Sequence, residues 1–168
     1  MKLDERCISL FYQKDEAAVN QVYACTNRLL RHVAFGILGD LDLSQDAAME
    51  AYTNALYSST PLRSPTSFIA YLCSASKNAA LSIARKRSHE ERLEEEIPTA
   101  PVKDSGVLGK LNQELGSPDY DILILHVVEG YSFEEIAVFL DLGTASAARG
   151  KYARAKAKAK DILGKEVL

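Results

Sequence analysis

The segment from Ser132 to Lys160 reads SFEEIAVFLDLGTASAARGKYARAKAKAK. Its first part, FEEIAVFL (133–140), places apolar residues at helical spacing behind Ser132. Glu135 stands three positions after that serine, which is the pattern of a capping box. DLGTAS (141–146) is a tight polar turn containing Gly143. Over Lys156 to Lys160 Lys alternates with Ala, as a strand of period two would, but Ala, Lys and Arg form helix readily and strand poorly. At about 100° per residue, Ala148, Tyr152, Ala155, Ala159, Ile162 and Leu163 fall on one stripe, the face expected to be buried. Arg149, Lys151, Arg154, Lys156, Lys158 and Lys160 flank the remaining surface, with the small residues Gly150, Ala153 and Ala157 between them. That surface suits a phosphate-lined groove, and a solvated lysine-rich helix is the ordinary alternative. A short helix, a tight turn and a basic second helix together make the pattern of a helix-turn-helix, whose second helix enters the major groove.

The basic cluster is notable in a chain of 168 residues whose formal net charge is −3. Residues 145–168 carry seven Lys or Arg against Asp161 and Glu166, whereas residues 90–96 read EERLEEE, so charge is polarised along the chain. The length and a hydrophobic content of 47% allow one ordinary domain or two small ones. No apolar run approaches the length of a membrane span, and Asp4 and Glu5 interrupt any signal-like N-terminus, so the expected location is cytoplasmic. Cys7, Cys25 and Cys73 are odd in number and far apart, which suits small core residues rather than disulfides. His32, His89 and His126 have no Cys or carboxylate at ligand spacing, so no metal site is expected. Gly-rich phosphate loops, GxSxG and HExxH motifs are all missing from the sequence, so neither a cofactor nor enzymatic activity is expected.

Strand-like alternation of Val, Ile and Thr does not occur, and helical periodicity recurs throughout, so the fold class is all-α. A first helical block runs from about Asp15 to Arg87, with breaks at LGDLDLSQD (38–46) and SSTPLRSPTS (58–67). Gly39, Pro61 and Pro65 resist helix there, and Ser44 or Ser67 can cap the next helix in each case. The stretch SHEERLEEEIPTAPVKDSG, with Pro98 and Pro101, reads as a linker whose acidic front half can be helical. A second block begins at about Val107, with caps at Ser117, before Pro118, and at Ser132.

With those elements placed, the chain resembles a two-domain bacterial RNA polymerase sigma factor of the extracytoplasmic-function (ECF) group. SFEEIAVFLDL is similar to that group's SYEEIAEILGI, and ARGKYARAKAKAKDIL to its VKSRLHRARKRLREIL, with one extra residue in the turn between Leu142 and Ala147. GSPDYDILILHVVEGYS resembles LPPREREVLLLRYLEGLS. Upstream, DEAAVNQVYACTNRLLRHVAFGILGD looks like the opening helices of sigma region 2. SQDAAMEAYTNAL resembles AEDLVQETFLRAW, keeping Asp46 and Glu50, with Met49 where Gln is usual and Leu56 where Trp is usual. SFIAYLCSASKNAALSIARKR resembles SFRAWLYRIARNLALDLLRRR, keeping Phe68, Leu72, Asn78, Ala80 and Leu81. The order and spacing of these fragments over about 145 residues carry the resemblance.

The resemblance implies two small helical domains: a region 2 bundle over 1–88, a linker over 89–111, and a region 4 helix-turn-helix over 112–168. Asp46 and Glu50 share a helix face with Thr53 and Tyr57, opposite an apolar face read as Ala48, Met49, Tyr52, Ala55 and Leu56. By resemblance, Asp46, Met49, Glu50 and Thr53 dock on core RNA polymerase. In the helix after Ser67, the stripe Phe68, Leu72, Ala75, Ala79 and Ile83 faces the core, while Tyr71, Ser74, Asn78 and Arg85 form a second line. An aromatic, an amide and a guanidinium on one exposed line can stack on and hydrogen-bond unpaired bases, with Lys86 and Arg87 on phosphates. The resemblance makes this the surface for the melted −10 element, with the loop that carries Arg63 holding a flipped base. Arg149, Lys151, Arg154 and Lys156 would contact the −35 element as duplex. Ala147, Ala148 and Gly150 offer little to base edges, so phosphate and shape dominate there. The implied partners are core polymerase, promoter DNA and an anti-sigma factor, with no membrane insertion. The alternative is a sigma-like module that binds polymerase or an anti-sigma factor without starting transcription.

Overall fold

The computed structural model of the chain describes residues 3–93, 106–116 and 118–164. Its elements are α1 (Glu5–Tyr12), α2 (Glu16–Leu38), α3 (Leu41–Leu56), α4 (Pro65–Leu93), α5 (Val107–Leu115), α6 (Asp119–Leu123), α7 (Phe133–Phe139) and α8 (Ala145–Gly164). A π-turn, Ile124–Val128, joins α6 towards α7. The described residues are all-α, as the periodicity implied, and contain no strand. None of their helices is long and apolar enough to cross a membrane.

Local chemistry sets the helix ends. Asp4 caps α1 by accepting the Cys7 N–H at 2.7 Å, and Asp15 caps α2 by accepting the Ala18 N–H at 2.9 Å. Helix α2 stops at Gly39, whose φ of 61° is the left-handed conformation that glycine adopts without penalty. Asp40 then caps α3 at once, accepting the N–H groups of Asp42 and Leu43 at 3.0 Å each. The break read over 38–46 is therefore only two residues long. Ser44, read as a possible cap, is buried inside α3 and donates its hydroxyl to the Asp40 carbonyl. Helix α4 starts at Pro65, ahead of Ser67, because a first-turn proline has no N–H that the helix needs. It runs past residue 88 to Leu93, so part of the acidic run is helical, and α5 occupies part of the span read as linker. Pro98, Pro101 and the Ser117 cap lie outside the described residues.

Helices α2, α3 and α4 pack against one another, and α1 closes one end with Ile8 and Phe11 fully buried. Phe11, Tyr12 and Phe68 meet edge to face, with Phe11 and Phe68 centroids 5.3 Å apart. Helix α3 presents Ala47, Ala48, Ala51 and Ala55 to its neighbours, small side chains that let the backbones approach. Tyr52 is the one large buried residue on that face; its hydroxyl lies 2.8 Å from Thr26 Oγ1. Thr26 already donates to the Val22 carbonyl at 2.8 Å, so Tyr52 is the donor of the pair. Met49, placed by sequence on the apolar face, is instead 47% exposed beside Asp46 and Glu50. The buried arc of α3 is narrow and filled by alanines, and a methionine does not fit between helices held that close. In α4 the fully buried positions are Phe68, Leu72, Cys73, Ser76, Ala79 and Ala80, while Ala75 and Ile83 lie at the margin. Cys7 and Cys73 are buried and Cys25 is half-buried, and none of the three is in a disulfide. Burial pushes the Cys73 thiol up to about 12, which leaves it protonated and unreactive at neutral pH.

The second half builds on the same core. Ile122, Leu125, Ile136, Ala137, Phe139, Ala148 and Ala155 are continuous with the buried residues of α1–α4. Polar, aromatic and backbone contacts tie α2 to this half. The Asn112 side chain donates to the Phe35 carbonyl at 2.9 Å. Phe35 and Tyr120 rings meet at 6.1 Å. Arg28 and His32 reach the Glu129 carboxylate at 2.9 and 3.3 Å. Gly36 lies so near Asp121 that an added Cβ would stand 2.3 Å from its Oδ1.

Candidate nucleic-acid interface

The Asp40 cap and the alanine face orient α3 so that Asp46, Met49, Glu50 and Thr53 all point to solvent. The Thr53 hydroxyl is turned back onto the Met49 carbonyl at 3.0 Å, so of these four the carboxylates and the thioether are free to meet a partner. Tyr57 ends this face, 73% exposed, with the Lys14 ammonium 4.4 Å above its ring.

Between α3 and α4 runs a groove of about 500 Å³ lined by Glu50, Asn54, Tyr71, Ser74, Ala75, Asn78 and Ala79. It unites three residues of the second line of α4, Tyr71, Ser74 and Asn78, with Glu50 from the face expected to dock polymerase. Asn54, one turn beyond Glu50, belongs to the same groove and was missed in the sequence, although its i+4 spacing was there to be seen. An aromatic ring, two amides, a hydroxyl and a carboxylate can stack on a base and pair with its edge. The carboxylate repels phosphate, so this groove suits bases rather than backbone. Arg85 and Lys86 stand exposed further along α4, whereas Arg87 is shared between Asp40 at 4.0 Å and Glu91 at 3.6 Å.

Arg63 lies elsewhere, in a cleft of about 580 Å³ between α1 and the α3–α4 connection, with Arg6, Ser9, Tyr12 and Gln13 opposite Pro61 and Leu62. The Leu62 N–H donates to the Tyr12 hydroxyl at 3.2 Å, which pins the connection to α1. Burial raises the pKa of Tyr12, so that phenol stays neutral. Arg6, the second cation lining this cleft, sits on a helix that the sequence pattern did not reveal.

The helix-turn-helix is built from local bonds. Ser132 accepts the Glu135 N–H at 3.2 Å and Glu135 accepts the Ser132 N–H at 2.9 Å, completing the capping box at the head of α7. Asp141 and Gly143, with φ of 52° and 77°, turn the chain, and Thr144 Oγ1 accepts the Ala147 N–H at 3.1 Å to start α8. Ala148, Ala155 and Ala159 are buried, with Tyr152, Ile162 and Leu163 at the margin, which is the stripe the spacing implied. Phe133 stacks on His126 at 4.3 Å and meets Tyr152 at 5.5 Å, and the Arg149 guanidinium lies 5.4 Å from the Phe133 ring centre. The His126 Nδ1 lies 2.9 Å from the Tyr131 carbonyl, which can only accept, so that nitrogen carries the proton. Lys158 is drawn off the basic surface by Asp119 at 2.6 Å. Arg149, Lys151, Arg154, Lys156 and Lys160 have no carboxylate partner among the described residues.

No protein-family model matches the chain, and no curated protein matches it in sequence. Among solved structures it is similar to CnrH in complex with the cytosolic domain of CnrY, with 21% identity and a TM-score of 0.65. That similarity covers 96% of this chain and 97% of CnrH. The chain therefore has the all-α fold of CnrH over nearly its whole length.

Proposed function

We propose that the chain is a promoter-specificity subunit of the ECF sigma group, which joins core RNA polymerase and directs initiation at promoters with −35 and −10 elements. The observation that carries this reading is the full-length likeness of fold to CnrH, taken together with the sigma-like order of motifs along the chain. In this reading Asp46, Met49 and Glu50 meet polymerase, with Thr53 at the edge of that patch. Tyr71, Asn78 and Glu50 receive an unpaired base in the α3–α4 groove, with Asn54 added to that set. The cleft beside Arg63 takes a second, flipped nucleotide, and Arg85 and Lys86 hold phosphates, with Arg87 joining them on release from Asp40. Helix α8 lays Arg149, Lys151, Arg154 and Lys156 on duplex phosphates. Because CnrH is held by the cytosolic domain of CnrY, an anti-sigma partner is part of the proposal. Sigma subunits do no chemistry of their own, and the cytoplasm is where such a subunit works.

The test is in vitro transcription with core polymerase of the source bacterium on pooled genomic fragments, with mapping of 5′ ends. Transcripts that share a pair of upstream motifs support the reading, and absence of core binding overturns it. The second reading, a sigma-like module that binds polymerase or an anti-sigma factor without initiation, draws support from the shared core, which holds both surfaces in one fixed relation. Core binding without any transcript would select it.

A further inference from the structure

A cavity of about 300 Å³ lies where the two halves meet. Arg28, Arg31 and His32 reach it from α2, and Phe35, Leu41, Leu108 and Tyr120 supply its apolar walls. Its lining holds basic side chains and no carboxylate. Glu129 faces both Arg28 and His32, at 2.9 and 3.3 Å. His32 is held below its ordinary pKa, first by burial and then by the charges of Arg28 and Arg31, so it is neutral near pH 7. Glu129 is thereby engaged by Arg28 and His32, and the nearby buried Asp121 lies against Gly36. Arg31 takes part in none of the ion pairs among the described residues, and its Nε is buried without an acceptor. A buried, unpaired guanidinium nitrogen is costly, and a planar carboxylate is the group whose two oxygens match it.

We infer that this interdomain cavity is a binding site for a small organic acid, a monoanionic carboxylate on an aromatic body. The guanidinium of Arg31, outside every ion pair among the described residues, sets the charge of the ligand. The walls set its body: a cavity of about 150 Å³ accepts one benzene ring, so the volume here suits two fused rings, placed beside the Phe35 and Tyr120 side chains. Arg31 receives the carboxylate. Since α2 and α3 belong to the first half of the chain and α5 and α6 to the second, such a ligand ties the halves together and is linked to their separation. The inference stands apart from the sigma reading, because binding is measured on the purified chain alone.

The experiment is calorimetric titration of the full chain with naphthoate and with its neutral analogue naphthalenemethanol, accompanied by thermal unfolding. Saturable one-site binding of naphthoate that raises the melting temperature is expected, with the alcohol at least tenfold weaker. Arg31→Gln should weaken naphthoate binding at least tenfold. Leu108→Trp, at a position 41% exposed and so tolerant of size, should fill the cavity with the same effect. Glu16→Gln, exposed at the start of α2 and about four turns from Arg31, should bind as the parent does. Should Arg31→Gln fail to fold, Leu108→Trp decides. Equal binding of acid and alcohol, undiminished binding by the two cavity variants, or no saturable binding would overturn the assignment.

Discussion

Replacing Gly36 by alanine has two opposed effects whose balance depends on whether α2 and α6 touch in solution. Within a helix, alanine is favoured over glycine by about 1 kcal/mol. Against that, the new Cβ would stand 2.3 Å from Asp121 Oδ1 and 3.3 Å from Tyr120 Cδ1. The first separation is more than about 1 Å inside ordinary contact distance, and Asp121, 2% exposed, has no room to swing aside. Overpacking of this kind costs about 1–3 kcal/mol. The net for Gly36→Ala is then a destabilisation of about 1 kcal/mol, equivalent to about 2–4 °C in a chain of this size. In an Asp121→Ala background the nearest obstacle is the edge of Tyr120, so the helix gain wins and the same substitution stabilises by about 0.5 kcal/mol. Urea unfolding of the four proteins of this cycle reads the coupling, about 1.5 kcal/mol, free of the cost of losing Asp121 itself. If Gly36→Ala stabilised the parent chain by its full helical gain, the contact between α2 and α6 would not exist in the folded protein. The continuous core would then have to be abandoned.

Other contacts give further expected outcomes. Ser132→Ala, which removes the hydroxyl from the capping box of α7, should cost about 1 kcal/mol in thermal unfolding; no measurable loss would mean that the box does not hold the helix-turn-helix. Arg149→Ala and Arg154→Ala should each lower the slope of log affinity for promoter DNA against log salt by about one unit, and an unchanged slope would remove α8 as the DNA surface. Asp46→Arg should abolish binding to core polymerase with helicity intact, since Asp46 lies on the exposed face of α3; normal holoenzyme assembly would refute the docking face. His32, whose folded pKa lies below 6.5, adds stability that is present above that pH and lost as pH falls through the folded value. Glu129, raised above 4.5 mainly by burial, acts in the opposite sense, its stability being lost as pH rises through the folded value. His32→Gln should therefore lose less stability than the parent as the solution is taken below pH 6.5, and parallel profiles for the two proteins would show that the buried imidazole is not linked to folding.

The features legible in the sequence were those that neighbouring residues decide among themselves. Ser132 and Glu135 are three positions apart, and the stripe from Ala148 to Leu163 repeats at helical spacing, so one helix suffices to express each signal. Met49 failed because a wheel ranks residues by hydrophobicity, whereas α3 is buried through alanines that carry little weight in such a ranking but allow close packing. The start of α3 was misplaced because Asp40 and Ser44 are both competent caps, and the left-handed Gly39 decides in favour of the nearer one. Helix α1 was passed over for its eight residues, although Asp4, Cys7, Ile8 and Phe11 carry its cap and its buried face. The cavity at Arg31 depends on pairings between distant segments, such as Arg28 with Glu129, for which no local pattern exists. The α3–α4 groove was half legible for the same reason: the α4 side could be read, and the α3 side had to be brought to it.

The bond from Asn112 to the carbonyl of Phe35 spans 77 positions. A ribosome adding about 5–20 residues per second needs about 4–15 s to cover that interval. Through those seconds the end of α2 leaves the exit tunnel with its carbonyl hydrated and its Phe35 ring and Gly36 backbone uncovered. The nascent first half is thus a temporary acceptor of other chains, and the order of synthesis itself decides how long that invitation stays open.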